Sequence, residues 1–105
     1  MIHRIWHGYT TPENGDVYEA LLKREIFHGI EQKHIPGFKG IELLRRSLDG
    51  EEEFITIMRF ETLDDVKSFV GEDYETAYVP DAARKVLKRF DARSQHYDVR
   101  ESRSY

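Results

Sequence analysis

The chain has 105 residues, enough for one domain core and too few for two. Its 16 basic and 20 acidic residues leave a net charge of −4, which provides no electrostatic footprint for nucleic acid, and no apolar run nears the ~18 residues of a membrane span. The absence of cysteine removes disulfides, thiolate zinc sites and a cysteine nucleophile.

In chain order, Ile2–Thr10 mixes Ile2, Ile5, Trp6 and Tyr9 with polar residues, a pattern that suits a strand. Thr11-Pro12-Glu13-Asn14 carries helix-start signals. From about Asp16, the residues Tyr18, Leu21, Leu22, Ile26 and Ile30 recur at spacings of three and four, the apolar stripe of a helix. Ile35-Pro36-Gly37-Phe38 fits a type II turn, with proline second and glycine third.

A second strand follows over roughly Phe38–Ser47, with Ile41, Leu43 and Arg45 on one face and Leu44 on the other. Leu48-Asp49-Gly50-Glu51 predicts a hairpin with a type I′ turn. On the return strand, Glu53–Phe60, the residues Phe54, Thr56, Met58 and Phe60 alternate with Ile55 and Ile57, so both faces call for cover.

Thr62-Leu63-Asp64-Asp65 resembles a capping box with Asp in the last place. A helix through Leu63, Val66, Phe69 and Val70 should end at Gly71. Asp73–Tyr78 reads as a helical turn, and Pro80 opens a further helix holding Ala83, Val86, Leu87 and Phe90. The last strand is placed at about Arg93–Arg100, followed by a polar tail over 101–105.

The order strand, helix, strand, strand, helix, strand is the split βαβ, or ferredoxin-like, plan. It is an α+β fold in one domain over residues 1–100: a four-stranded antiparallel sheet with helices on one face. The other sheet face would be bare in a monomer, and a partner sheet is the simplest cover, so a homodimer is expected. The opening Met1-Ile2-His3-Arg4-Ile5-Trp6-His7 lacks the long apolar stretch of a signal peptide, and the expected compartment is the cytoplasm.

Trp6-His7-Gly8, Ile35-Pro36-Gly37, Leu43-Leu44-Arg45-Arg46, Gly71-Glu72-Asp73-Tyr74 and Arg89-Phe90-Asp91, ahead of His96-Tyr97, run in a familiar order. Over about residues 2–100 the chain resembles the antibiotic-biosynthesis-monooxygenase-like proteins of the dimeric α/β-barrel superfamily. The resemblance implies a dimer whose two sheets face each other as a barrel, with a pocket in each monomer between sheet and helices. It also implies oxidation of a small aromatic hydroxy or quinol-like compound by O2, with no metal or other cofactor. Other relatives bind and degrade haem through a histidine after the second helix and a tryptophan within it. Here those places fall near Val79 and Phe69, and no histidine lies between His34 and His96, so the haem reading loses its ligand.

His3 and His7 on a strand would stand about 13 Å apart, too far to share a metal. His7 and His96 are the candidate bases or phenolate partners, since the first and last strands should be antiparallel neighbours. Trp6, Tyr74, Tyr78 and Tyr97 are the candidate pocket residues; Tyr74 and Tyr78 would share a face if their segment is helical. Strand alternation puts His3, Ile5, His7 and Tyr9 on one face and Ile2, Arg4 and Trp6 on the other, so only a bulge at Gly8 would aim Trp6 and His7 into one pocket. The competing readings are cross-strand packing at a dimer seam for the histidines, and a noncatalytic small-molecule binding or stress-response protein for the whole.

Overall fold

A computed structural model describes residues 1–105. The elements are β1 (Ile2–Thr10), α1 (Gly15–Leu21), α2 (Phe27–Glu31), β2 (Phe38–Leu48), β3 (Glu51–Phe60), α3 (Leu63–Val70), α4 (Asp81–Arg84), β4 (Arg89–Phe90) and β5 (Gln95–Asp98). The sheet runs β2-β3-β1, with β4 and β5 both pairing antiparallel to the free edge of β1. That is the ferredoxin-like plan, with its fourth strand in two pieces.

The split has a local cause. Residues 92–94 bond to residues 75–77 instead of to β1: Ala77 N donates to Ala92 O, Ser94 N donates to Glu75 O, and Thr76 bridges Arg93. The last strand therefore covers Gln95–Asp98 instead of Arg93–Arg100. Of the helical turn expected over Asp73–Tyr78, only Asp73–Thr76 closes, with Thr76 N donating to Asp73 O at 3.1 Å; the same pairing holds the chain from there to Tyr78 irregular. α4 is also shorter than its apolar spacing suggests. Lys88 N donates to Tyr9 O, drawing the chain back to the sheet, so Phe90 lies in a strand opposite Gly8.

α1 and α2 are joined by a π-helical stretch, Leu22–Ile26, and the backbone stays helical through both junctions. Phe27 N donates to Leu22 O, five residues back. The stripe of Tyr18, Leu22 and Ile30 is buried against the sheet. Around Ile35–Phe38, Gly37 has φ of 74° and Phe38 N donates to Ile35 O at 3.3 Å, consistent with the expected type II turn. The β2–β3 hairpin forms as predicted, but its turn is not type I′. Only Gly50 has positive φ, 76°, and type I′ needs it at both central residues.

Thr62 and Asp65 form the capping box: Asp65 N donates to Thr62 Oγ1 and Thr62 N donates to Asp65 Oδ2. Helices cover one sheet face only. There the core forms two clusters: Trp6, Tyr18, Leu22, Phe54, Val79 and Ala83 at one end, and Ile30, Met58, Phe60 and Val66 at the other. The opposite face carries His3, Ile5, His7 and Tyr9 of β1, opposite Arg59, Ile57, Ile55 and Glu53 of β3. Leu44 pairs with Ile55 and Tyr97 with His3 on that face, and both are exposed. Residues 101–105 are exposed and form no helix or strand.

Candidate functional site

β1 pairs with β3 without a break from Ile2 to Thr10, so no bulge at Gly8 disturbs the alternation. Arg4, Trp6, Gly8 and Thr10 are buried toward the helices. Trp6 lies over Gly8, where a Cβ would come within 2.5 Å of its ring; a glycine is what lets the indole lie back against the strand. The indole Nε1 donates to Asp91 O at 2.8 Å.

An apolar cleft opens between this sheet face and the α1–α2 helix. Trp6, Tyr18, Phe27 and Tyr78 supply its aromatic wall, Leu22, Ile26 and Ile30 its helical wall, and Arg4, Thr56 and Ser94 its polar groups. Its interior void is about 40 Å³, room for a few water molecules. Tyr78, 39% exposed, stands at the rim and packs on Phe69 at 5.0 Å. The π-helical stretch supplies Leu22 and Ile26 to this wall, in keeping with the frequent placement of such turns at functional sites. Burial raises the pKa of the Tyr18 phenol, keeping it a protonated donor.

Arg4 is 3% exposed. Its Nη1 donates to Tyr74 O at 2.5 Å and Nη2 donates to Thr76 O at 2.9 Å. Nη1 also contacts His96 Nε2 at 2.9 Å. An arginine can only donate, so His96 Nε2 accepts and the ring proton sits on Nδ1. That Nδ1 is buried without a hydrogen-bond partner. Burial first, and the charge of Arg4 second, lower the pKa of His96 and keep it neutral. Burial alone lowers Arg4 to about 10, and no carboxylate offsets the effect.

The candidate residues divide into three places. Trp6 and Tyr78 line the cleft. His96 and Tyr74 stand behind Arg4, the rings 5.1 Å apart and edge to face. His7 and Tyr97 lie on the open sheet face, where His7 Nδ1 meets Asp91 Oδ2 at 3.1 Å. His7 and His96 are therefore not brought together. His96 pairs with Arg4, not with His7, and the two imidazoles point to opposite faces. Tyr74 and Tyr78 do not share a helix face either, because only a single turn forms at Asp73–Thr76 and the chain beyond it is irregular.

Arg4 and Tyr18 also line the cleft, though neither is among the candidate site residues of the sequence. The signal for Arg4 was present: it is the one charged residue in the inward set Ile2, Arg4, Trp6. No histidine lines the cleft, and Val79 occupies its wall where the haem-degrading relatives are expected to carry one. Nowhere do three or more His, Asp or Glu residues gather as a metal site would require.

No protein-family model matches the sequence, and no curated protein does. Solved structures do match. A candidate antibiotic biosynthesis monooxygenase from Bacillus cereus superposes with a TM-score of 0.66 at 19% identity, covering 99% of this chain and 97% of that one. The haem-degrader MhuD from Mycobacterium tuberculosis, solved with two haems in its active site, gives a TM-score of 0.61 at 17% identity, covering 99% of this chain and all of that one. Over its full length, the chain thus shares the ferredoxin-like fold of these two structures.

Proposed function

We propose that the cleft binds a small aromatic hydroxy or quinol-like compound, which the protein oxidises with dioxygen without a metal or organic cofactor. The observation that carries this reading is the aromatic-walled, largely apolar cleft, with Trp6 at its floor, in a fold shared with the Bacillus cereus protein. In such a reaction the deprotonated substrate gives an electron to O2 and the two radicals combine. For a ring CH2 the resulting hydroperoxide loses water to leave C=O, so one oxygen atom stays and the other departs with two substrate hydrogens. The protein's part is to orient the ring, stabilise the anion and exclude water.

The two histidines have unequal parts in this proposal. The basic lone pair of His96 already accepts from Arg4, so His96 is a positioning residue. His7 and Asp91 brace, from the far face, the segment whose carbonyl receives the Trp6 indole. No imidazole stands on the cleft wall to take the substrate proton. Tyr78 is the residue that must move for a ring to enter. A second reading, noncatalytic binding of the same class of molecule, is favoured by that missing base.

The cleft does not fit haem. It lacks an imidazole, and its Tyr18 phenol is held protonated. We further propose that two copies pair through the open sheet face. Oxygen consumption by metal-stripped protein, offered hydroquinones, anthrones and catechols, tests the catalytic reading. Saturable uptake in proportion to the protein is expected. Uptake equal to that of heat-killed protein would overturn it and leave the binding reading.

A further inference from the structure

Arg4 is a cation buried without a counter-ion. Taking a guanidinium out of water is unfavourable unless charge or hydrogen bonds replace the solvent. Two backbone carbonyls and one neutral imidazole supply part of that replacement, and none of the three carries a charge. Every other arginine outside the helices and loops of this sheet, Arg45, Arg46, Arg59 and Arg89, has a carboxylate partner. Arg4 alone combines near-complete burial with no acidic neighbour and a place on the wall of the cleft.

Its donors can be counted. A guanidinium has five N–H groups. Two on Nη1 and one on Nη2 are engaged by Tyr74 O, His96 Nε2 and Thr76 O. The Nε–H and the second Nη2–H remain. These are enough for a two-pronged contact with an anionic oxygen group. The engaged donors also fix the guanidinium plane, so a ligand need not spend affinity on ordering a long side chain.

We infer that the missing counter-ion is part of the ligand: the cleft takes an aromatic compound bearing an anionic oxygen, carboxylate or phenolate, which docks on Arg4 while its ring lies against Trp6. This inference rests on the cleft being the ligand site, as proposed above, and narrows the ligand class to anions. Neutral quinols and ring ketones would leave the buried charge uncompensated and should bind more weakly. His96 acts through Arg4 by holding its Nη1 in place.

Calorimetry with three naphthalenes tests this directly on the intact protein: 2-naphthoate, its uncharged isostere 2-naphthamide, and a nitronaphthol ionised at neutral pH. Naphthoate or the ionised naphthol should bind at least about ten-fold more tightly than the amide. Whichever of the two anions is tighter identifies the oxygen as carboxylate or phenolate. In Arg4→Gln that preference should fall to within about two-fold while amide binding persists, and Arg4→Lys should recover part of it. The wild-type comparison stands even if Arg4→Gln fails to fold. Equal binding of both anions and the amide would overturn the inference and leave the cleft as a ligand site. Binding of none of the three would overturn both.

Discussion

The hydrogen bond between Arg4 and His96 sets the protonation state of a side chain as well as its position. Because Arg4 cannot accept, His96 must stay neutral for the contact to exist. Burial, and then the charge of Arg4, depress its pKa below the ordinary 6.5, with Glu75 pulling the other way. Below that ordinary value the unfolded chain therefore binds more protons at this position than the folded one. The stability contributed is fully present above the unfolded pKa and is lost as pH falls through the folded one. Melting followed from about pH 8 to about pH 5 should show a decline on the acid side, and His96→Gln, which cannot titrate, should flatten it. An equal decline in both proteins would assign the loss to other groups.

Among the elements, legibility in the sequence followed the locality of the signal. The α1–α2 stripe, the Thr62 capping box and the Ile35–Phe38 turn depend on residues within one or two turns of each other, and each formed as its spacing required. The hairpin formed too, but its turn type depends on the twist of the strands as well as on Asp49-Gly50. Over residues 73–98 the helix after Pro80 and the last strand form but are shorter than their spacing implies, for the opposite reason. The conformation of this segment is decided by pairing between 75–77 and 92–94 and by the grip of Arg4 on the carbonyls of Tyr74 and Thr76. Those partners are remote in sequence, and a helical spacing of aromatic residues cannot outweigh them.

The candidate site was legible to the same degree. Strand alternation correctly separated Trp6 from His7, while the register that puts His96 opposite Arg4 needed the fold. An inward arginine between Ile2 and Trp6 could have been found from alternation alone. That nothing acidic would face it could not, since the neighbours come from residues 74–96.

At the scale of the whole molecule, the open sheet face leaves apolar side chains in water. Ile5, Ile55 and Ile57 are only partly covered, and Leu44 and Tyr97 are exposed beside them. Proposed pairing through this face would bury them against a second copy, as in other isologous interfaces. Sedimentation at micromolar concentration should give a dimer for the wild type. Ile57→Glu, a charge set in mid-strand on the uncovered side, should give a folded monomer; a wild-type monomer would remove the proposal.

The central claim is that the cleft over Trp6 is the ligand's seat. Trp6 is the only tryptophan in the chain, so its fluorescence reports that one place. Titration with an aromatic hydroxy compound such as a naphthol is predicted to quench it to a saturating limit, and Ala83→Leu, which fills the cleft wall, should abolish the saturable part. Quenching that rises linearly without limit, or that is unchanged in Ala83→Leu, would contradict the account.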